Sequence, residues 1–482
     1  MAHYPQELAL LVAGEWRGVQ GRDTLPVVNP TSGAELARLP IASAADVDDA
    51  LEAAHQAFPD WSALTPWQRE PYLKRAATLL HERRDAIATM LTLENGKPLA
   101  DSQGELDRAI ETILWCAEEG KRAYGRLLPA REQHLTQASV KSAIGPVGAF
   151  VPWNFPVVLA ARKLAAALAA GCTVVLKPAE ETPAACIELV RAFVDAGVPA
   201  GVINLLYGVP ASISEHVIRS PIIRKVSFTG SVGVGRLLAT LAAQELKPAT
   251  MELGGHAPVV VFDDVDPEHV AKLCVGFKFR NAGQVCLSPS RFYVHRRILQ
   301  PFTEAFVRHA SAIQVGDGMQ PGTQMGPLNN ERRLDAARRY VEQARGAGAQ
   351  VALGGERIGE QGYFFAPTVL TDVPDSATIL HEEPFCPVAP IMPFDSLEEV
   401  MERANHPDLG LAAYAFTNTL SRAAQFTERV HAAWIGVNHF VPALADAPIG
   451  GLKHSGLGYE GGPEGLDAYL HSRFISQSGK PV

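Results

Sequence analysis

Residues 144–156 have the sequence Ile-Gly-Pro-Val-Gly-Ala-Phe-Val-Pro-Trp-Asn-Phe-Pro. The apolar run to Val151 is typical of a buried strand, and the Pro-Trp-Asn-Phe-Pro segment ends it. An apolar helix is predicted from there to Ala170. Further strands are predicted at Thr173–Leu176, Ile203–Leu206 and Lys225–Phe228, with a helix over residues 183–196. Strands that alternate with helices at this spacing predict an α/β fold with a parallel, doubly wound sheet.

Polar or small residues follow three of these predicted strands. Asn154 follows the first, Lys177 the second, and Thr229-Gly-Ser-Val-Gly-Val-Gly235 opens a predicted helix after the last. Ligands of parallel sheets bind beyond the carboxyl ends of the strands, and a glycine-rich helix N-terminus can accept a phosphate group. The glycine order differs from the GxGxxG dinucleotide motif, so an ordinary turn is the simpler interpretation of this segment alone.

A second α/β unit is predicted after Glu252-Leu-Gly-Gly255, where a strand ends at a Gly-Gly hinge. A helix that starts at Asp266 and stops near Gly283 brings Cys286 to the edge of a strand. A cysteine in that place is either a nucleophile or an inert packed thiol, because free cysteine packs like a small apolar residue. The predicted strands are Val259–Phe262, Arg291–Val294, Val388–Met392 and Leu409–Thr417.

The amino-terminal region before residue 120 is predicted to contain three amphipathic helices. The second runs from Thr65 toward Leu93, and the third starts after Pro98. None of the three shows a cluster of catalytic residue types. Residues 120–140 are polar and lack a strong pattern.

Composition restricts the class of protein. The 482 residues are 47% hydrophobic and 20% charged, which is typical of a globular protein with two or three domains. A formal net charge of -9 disfavours nucleic acids and anionic membranes as partners. We expect no membrane span and no export signal, because no apolar run is long enough and no basic region precedes one at the N-terminus.

Six cysteines lie at positions 116, 172, 186, 274, 286 and 386. No two have the spacing of a zinc site or a redox dithiol, and no ligand cluster predicts a metal. Reduced, mostly buried thiols in a chain of this size indicate a cytoplasmic protein.

Five motifs occur in one order: Pro152-Trp-Asn-Phe-Pro156, Phe228-Thr-Gly-Ser231, Glu252-Leu-Gly-Gly255, Gly283-Gln-Val-Cys286 and Glu383-Pro-Phe385. In their order and spacing, the chain resembles the NAD(P)-dependent aldehyde dehydrogenase superfamily over nearly its whole length. Residues 171–180 and 279–284 are most similar to the succinate-semialdehyde dehydrogenase branch.

The resemblance implies an aldehyde dehydrogenase-like fold with three parts. These are a Rossmann-like dinucleotide-binding domain (residues 1–120 and 142–252), an α/β catalytic domain (253–453) and bridging, oligomerisation segments (121–141 and 454–482). Bridging strands of the family pair between subunits, so a homodimer or a homotetramer is expected.

Three residues carry the chemistry that the resemblance implies. Cys286 matches the nucleophile that forms a thiohemiacetal with the aldehyde and, after hydride transfer to the nicotinamide, a thioester. Glu252 matches the general base that activates the deacylating water; its alternative role is a surface residue or ion-pair partner. Asn154 matches the oxyanion stabiliser, acting with the Cys286 backbone N–H; its alternative role is a turn-forming asparagine between prolines.

The same resemblance implies cofactor contacts at Trp153, Lys177, Glu180, Gly230, Ser231, Leu253, Glu383 and Phe385. Lys177 and Glu180 match contacts to the adenosine ribose. The Glu180 carboxylate can accept hydrogen bonds from both ribose hydroxyls and would repel a 2′-phosphate, so NAD is expected over NADP. Gly230 and Ser231 match the pyrophosphate contact. Glu383 matches the ligand of the nicotinamide ribose, and Phe385 matches the side chain that packs beside the nicotinamide ring.

Arg162 and Arg280 match the two arginines by which the semialdehyde branch holds the substrate carboxylate, although either could be a plain surface charge. The branch also uses a serine where this chain has Pro442-Ala-Leu-Ala445, and His439 and Phe440 replace smaller or different residues. The expected substrate is therefore succinate semialdehyde, a longer or more apolar ω-oxo acid, or an aromatic aldehyde.

Three other interpretations remain open on the sequence. The arginines could be incidental in a broad-specificity aldehyde dehydrogenase. A non-enzymatic, dinucleotide-binding relative would be expected to lack the nucleophile or the base, yet both are present. A thiol hydrolase or acyltransferase that uses Cys286 without a cofactor needs a histidine partner, and no motif provides one. Cys386 also departs from the family, which usually has glycine there.

Overall fold

Two large sheets organise the chain in the computed structural model, which describes residues 4–480. The helices are α1 Ala44–Ala63, α2 Pro66–Glu82, α3 Arg84–Asn95, α4 Leu99–Glu119, α5 Pro156–Ala170, α6 Pro183–Asp195, α7 Pro210–Arg219, α8 Val232–Gln244, α9 Pro267–Lys278, α10 Leu299–Ser311, α11 Glu331–Gly346, α12 Leu397–Asn405, α13 Leu420–Arg429 and α14 Gly462–Asp467.

The strands are shorter than the helices. They are β1 Leu10–Val12, β2 Glu15–Arg17, β3 Thr24–Val28, β4 Glu35–Pro40, β5 Arg126–Leu128, β6 Leu135–Ala143, β7 Val147–Phe150, β8 Val174–Lys177, β9 Ile203–Leu205, β10 Lys225–Thr229, β11 Ala249–Glu252, β12 Ala257–Val261, β13 Pro289–His295, β14 Gln350–Leu353, β15 Thr368–Thr371, β16 Val388–Phe394, β17 Leu409–Gly410, β18 Ala412–Phe416, β19 Trp434–Val437, β20 Leu452–Lys453, β21 Gly456–Leu457 and β22 Leu470–Ser478.

The first sheet has eight strands in the order β2-β1-β9-β8-β7-β10-β11-β21. Its five central strands are parallel, which confirms the predicted doubly wound α/β architecture. Their carboxyl ends lie along one edge, where Lys177, Thr229 and Glu252 are the last residues of β8, β10 and β11. Helix α5 is buried along its whole length and packs against α2, α4, α6 and α14.

The second sheet has seven strands in the order β14-β15-β16-β13-β12-β18-β19. All of its pairings are parallel except that of β14 with β15. It has its own hydrophobic core, separate from that of the first sheet. The predicted second α/β unit after residue 255 is thus observed.

A third, antiparallel sheet has the strand order β22-β6-β5. Residues 120–140, which showed no pattern in the sequence, contribute β5 and most of β6. Their side chains are half-buried or exposed, so no alternation of apolar and polar residues marks them as strands. Exposed apolar side chains on this sheet include Leu127 and Phe474.

Residues just before β22 belong structurally to the first sheet. Strand β21 pairs with β11, and Leu466 and Tyr469 are part of the first hydrophobic core. Within the stretch 454–480, only β22 therefore joins the third sheet. The domain boundaries at residues 120, 142, 252 and 453 stay a prediction.

Two predicted elements differ in detail. The helix predicted from Thr65 toward Leu93 is two helices, α2 and α3, because Arg83 has a non-helical backbone with φ -96° and ψ 3°. The helix before Cys286 ends at Lys278 rather than near Gly283. Among residues 4–480, no helix combines the length and apolar character needed to cross a bilayer.

Candidate active site

One cavity of about 400 Å³ collects most of the candidate residues. Its lining includes Asn154, Glu252 and Cys286, which belong to different elements. The candidate cofactor residues that line it are Trp153, Gly230, Ser231, Leu253, Glu383 and Phe385. A further set, here called the arginine group, consists of Arg108, Arg162 and Arg280. Lys177 and Glu180 do not line this cavity.

A buried ion pair holds the turn that carries Asn154. Lys97 Nζ lies 2.7 Å from Glu105 Oε2, and both side chains are fully buried. Lys97 Nζ also donates to the Asn154 carbonyl oxygen at 2.6 Å. Glu105 Oε1 accepts from the backbone N–H groups of Val157 and Val158 at 2.8 and 3.2 Å. The Glu105 carboxylate thereby accepts hydrogen bonds from free N–H groups in the first turn of α5, which has no side-chain cap of its own.

The Asn154 turn is joined directly to the segment before Cys286. Asn154 Nδ2 donates to the Gln284 carbonyl oxygen at 3.2 Å, and Asn281 Nδ2 donates to the Asn154 carbonyl oxygen at 3.2 Å. Gln284 is fully buried and accepts the Asn329 backbone N–H through Oε1 at 3.0 Å. These bonds set the position of the Asn154 amide relative to Cys286.

The Cys286 segment has a constrained backbone. Asn281, Ala282 and Gly283 have φ of 46°, 53° and 73°, three successive residues in the left-handed region. A Cβ at Gly283 would clash with the carbonyl oxygen of Cys386, so glycine is required there. This turn, which replaces the predicted last turn of the helix, places Cys286 half-buried on the cavity wall.

The surroundings of Cys286 favour the protonated form of its thiol. Burial raises its pKa well above 9.0, and the carboxyl groups of Glu252 and Glu383 raise it further. The Arg162 guanidinium acts in the opposite direction. A group that removes the thiol proton is therefore needed before Cys286 can act as a nucleophile.

Glu252 is a candidate for such a group. Its side chain is buried, and neither carboxylate oxygen has a hydrogen-bond partner among residues 4–480. Burial, with a contribution from Glu460, raises its pKa from 4.5 to about 7, although Lys163, Arg162 and the nearby Cys286 thiol lower it. A carboxylate with a pKa near neutrality is well suited to accept and release protons.

A buried lysine lies behind Glu252. Lys163 Nζ donates to Thr229 Oγ1 at 2.8 Å, to Ser227 Oγ at 3.1 Å and to the carboxylate of Glu460. Both ionic side chains are almost fully buried. Neither Lys163 nor Glu460 is a predicted site residue; a lysine inside the apolar run of α5 is the signal that the sequence offers for this pair.

The strand ends offer polar groups that fit a dinucleotide. Lys177 Nζ and Glu180 Oε1 lie 2.5 Å apart, and Glu180 Oε1 accepts the Gly208 backbone N–H at 3.2 Å. Ser231 is the N-cap of α8, and its hydroxyl accepts the Val234 N–H at 3.5 Å. The first turn of α8 carries no acidic residue and is largely exposed, so its N–H groups suit a phosphate.

The remaining candidate cofactor residues surround the junction of the two large sheets. Glu383 Oε1 accepts the Gly255 N–H at 3.1 Å, and burial raises the pKa of Glu383 to about 7. The rings of Trp153 and Phe385 meet edge to face at 5.7 Å. Leu253 packs against Gly235, where any larger residue would clash with the leucine side chain. These contacts shape the cavity wall beside Cys286.

The arginine group brings positive charge to the same cavity. Arg162 is buried, and its Nε has no hydrogen-bond partner among residues 4–480. Arg280 Nε lies 3.4 Å from Asp101 Oδ1, and its guanidinium lies 5.6 Å from the Phe155 ring centroid. Both predicted substrate arginines therefore face the space next to Cys286. Arg108 was missed, because α4 showed no cluster of catalytic residue types in the sequence.

Apolar side chains complete the wall around these charges. Pro442 and Ala443, which stand where the semialdehyde branch has a serine, line the cavity together with Phe277. Phe440 does not line the cavity but stacks on Phe277 at 4.7 Å. His439 is exposed and lies outside the lining.

Cys386 is fully buried, and burial raises the pKa of its thiol while Lys278 lowers it. Its carbonyl oxygen is the neighbour that excludes any side chain at Gly283. Its contribution is thus to packing behind the Cys286 segment. The four other cysteines outside the cavity are also buried.

The chain is similar to known proteins over most of its length. The sequence model of the Aldehyde dehydrogenase family matches residues 16–475. A 4-(hydroxymethyl)benzenesulfonate dehydrogenase from Comamonas testosteroni is 46% identical over 466 residues, 97% of this chain and 97% of that protein. An NADP-specific succinate-semialdehyde dehydrogenase from Escherichia coli is 39% identical over 465 residues, 96% of each chain.

A solved structure extends the likeness to three dimensions. The NAD+ complex of an aldehyde dehydrogenase from Bacillus cereus superimposes with a TM-score of 0.96 at 35% identity, covering 99% of this chain and 98% of that one. The family predicted from the five motifs, with succinate-semialdehyde dehydrogenases among its relatives, is confirmed.

Replacing Lys97 by Met should destabilise the protein, because Glu105 is then a buried carboxylate without its cation. The expected loss is about 3–5 kcal/mol, seen as a lower midpoint in thermal unfolding. The double variant Lys97→Met/Glu105→Gln should recover part of the loss, since the Gln oxygen can still accept the α5 N–H groups. Equal midpoints for wild type and Lys97→Met would contradict this account.

Replacing Glu252 by Gln should stabilise the protein at alkaline but not at acidic pH. The folded-state pKa of about 7 exceeds the ordinary 4.5, so ionisation costs the folded state stability progressively between these two values. The unfolding midpoint of the variant should exceed that of wild type at about pH 8 and match it at about pH 5. The exposed Glu402→Gln change is the control, and a pH-independent difference for Glu252→Gln would refute the assignment.

Proposed function

The chain belongs to the aldehyde dehydrogenase family, and from that premise we propose that it oxidises an aldehyde bearing an anionic group to the acid, with NAD as hydride acceptor. The observation that carries this proposal is one cavity in which Cys286 shares the wall with buried, positively charged Arg162. A guanidinium recognises an oxyanion through paired, charge-assisted hydrogen bonds. Such a group on the substrate would hold its aldehyde carbon beside the thiol.

The proposed chemistry starts with proton removal. Glu252 takes the thiol proton of Cys286, and the sulfur attacks the aldehyde carbon to form a thiohemiacetal. The Asn154 amide and the Cys286 backbone N–H stabilise the negative charge that develops on the carbonyl oxygen. Bound NAD supplies the acceptor for the hydride that leaves this carbon. The covalent product on Cys286 is then a thioester.

Glu252 first releases the thiol proton to solvent and then acts a second time, in the proposed hydrolysis. It removes a proton from water as the water oxygen bonds to the thioester carbon, and the carbon–sulfur bond breaks. The carboxylic acid departs, and Cys286 recovers its proton. A pKa of about 7 allows Glu252 both to accept and to release protons near neutral pH.

Lys177, Glu180, Gly230, Ser231 and Glu383 would hold the dinucleotide in this proposal, with Trp153, Leu253 and Phe385 packed beside it. Support comes from the Glu180 carboxylate at the end of β8, which can accept the ribose hydroxyls and would repel a 2′-phosphate. The Bacillus cereus relative binds NAD+, whereas the Escherichia coli relative is NADP-specific. We therefore propose NAD as the preferred cofactor.

The substrate is proposed to be either a semialdehyde with a carboxylate or an aromatic aldehyde with an anionic group. Arg162 and Arg280 in the cavity and the succinate-semialdehyde relative support the first. The apolar wall of Phe155, Phe277 and Pro442 and the benzenesulfonate relative support the second. Both share the anion, which is the feature that the buried charges favour.

Assembly and location are part of the same proposal. The third sheet exposes Leu127 and Phe474, and pairing of such sheets between subunits would cover them in a homodimer or homotetramer. The six cysteines are unpaired, which suits the reducing cytoplasm.

Oxidation of aldehyde pairs tests the substrate class. Each ω-oxo acid is compared with the uncharged aldehyde of equal length, and an aromatic aldehyde is included, with NADH absorbance as the readout. We expect a preference for the charged member of at least about tenfold in kcat/KM, because a buried charge-assisted bond contributes at least about 1.4 kcal/mol. The Arg162→Ala and Arg280→Ala variants should lose that preference.

Cys286→Ser should have no measurable turnover with any member of the panel and serves as the blank. Equal rates for charged and uncharged aldehydes, unaffected by the arginine changes, would favour a broad-specificity enzyme. Absence of NADH with every aldehyde would refute the proposed activity.

Replacing Glu180 by Ser should shift the preference toward NADP by about tenfold in kcat/KM, because the variant lacks the repelling carboxylate and frees Lys177 for the 2′-phosphate. Steady-state rates with NAD and NADP measure the shift. The matched control is Glu181→Ser, whose carboxylate pairs with Arg332 at 2.8 Å. A shift of the same size in the control would contradict a specific role for Glu180.

A further inference from the structure

Arg108 lines the cavity in addition to the two arginines suggested by the family resemblance; Arg332 and Arg333 also belong to the lining but are not part of the arginine group. Arg108 lies on α4, whereas Arg162 lies on α5 and Arg280 follows α9. Its side chain is half-buried, and its Nη2 is buried without a hydrogen-bond partner among residues 4–480. The three charges thus reach one cavity from three separate elements.

The acidic groups near Arg108 form ion pairs with other basic residues. Asp101 pairs with Arg280, and Glu105 pairs with Lys97. Asp107, the sequence neighbour of Arg108, pairs with Arg84 at 2.5 Å. Within residues 4–480, neither Arg108 nor Arg162 forms an ion pair. The arginine group therefore has more positive charge than its protein surroundings balance.

Such an arrangement is unfavourable in the protein by itself. Burial lowers the pKa of Arg108, and the charges of Arg280 and Arg162 lower it further, whereas the carboxylates of Glu105 and Asp101 act in the opposite direction. Arg108 and Arg162 have no paired carboxylate, and such charges in a partly desolvated cavity cost stability, so a structural role does not account for them. An anion bound between them would remove this cost.

We propose that Arg108 contacts the anionic group of the substrate together with Arg162 and Arg280, and that this site favours a three-oxygen anion, a sulfonate on an aromatic ring, over a carboxylate. The inference rests on the proposed function and specifies its substrate. A planar carboxylate presents two oxygens, which two guanidiniums can satisfy. Three guanidiniums from three elements suit the three oxygens of a sulfonate.

The wall beside the arginine group suits an aromatic spacer. Phe155 lies under Arg280, and Phe277 is fixed by stacking on Phe440. Val158 and Leu159 on α5 add apolar surface to the same cavity. A flat, apolar ring would bury its faces here while its sulfonate reaches the guanidiniums.

The test compares 4-formylbenzenesulfonate, 4-formylbenzoate and benzaldehyde as substrates of the wild type and of Arg108→Met. The variant should raise KM for the sulfonate about 10- to 100-fold, the effect of losing one charge-assisted hydrogen bond. KM for benzaldehyde and kcat for all three should stay within about twofold. Arg108→Lys, which keeps the charge but not the planar fork, should recover only part of the loss.

Arg84→Met is the matched control, because it removes an arginine that pairs with the neighbouring Asp107 outside the cavity. It should change none of the three KM values. Equal losses for the sulfonate and the carboxylate in Arg108→Met would overturn the three-oxygen preference. A parallel loss for benzaldehyde would show a structural role and overturn the contact itself.

Binding of benzenesulfonate, measured by calorimetry on the wild type and Arg108→Met, does not depend on turnover. Binding that weakens about 10-fold or more in the variant supports the site even if no aldehyde is oxidised, an outcome that would refute only the proposed function. The unfolding midpoint of ligand-free Arg108→Met should equal or exceed that of wild type. Unchanged benzenesulfonate affinity would overturn the inference.

Discussion

The buried ion pair between Lys97 and Glu105 is the interaction on which the geometry of the site depends. Two fully desolvated charges are stable only when every remaining donor and acceptor is also satisfied. Here the lysine bonds to the Asn154 carbonyl oxygen, and the glutamate bonds to the first N–H groups of α5. The pair therefore joins α4 to the turn and the helix that carry Asn154 and Arg162. It also explains how a helix that begins without a side-chain cap can be buried along its whole length.

Burial is also the common origin of the reactivity of the cavity. It raises the pKa of Glu252 and of Glu383 to about 7 and raises the pKa of the Cys286 thiol well above its ordinary value. Arg162 opposes the shift at both Glu252 and Cys286, since a positive charge favours the ionised form of each. Charges on separate elements thus shift the pKa values of the two groups that we propose to react. Each of these buried groups lowers stability, a cost that functional sites commonly carry.

Local patterns predicted much of the architecture. Short apolar runs before Asn154 and Lys177 are buried parallel strands, because residues covered on both faces need no alternation. The hydrophobic pattern did not predict strands β5 and β6, whose half-buried or exposed side chains follow no simple period. It also failed at residues 281–283, where a left-handed turn replaces the last helical turn. At Gly283 this turn meets the carbonyl oxygen of Cys386, a neighbour distant in sequence, which leaves no room for a side chain.

The sequence by itself determined the fold class, the family and the residue types available for chemistry, because hydrophobic period and motif spacing are properties of the chain alone. Only the tertiary structure decided which of those residues meet. Arg108 lies on an amphipathic helix with no catalytic pattern, yet the packing of α4 against α5 brings it into the cavity with Arg162. The Glu252-Leu-Gly-Gly255 motif likewise does not predict the raised pKa of Glu252. Burial and the proximity of charges depend on contacts between distant segments, and the linear chain does not contain those distances.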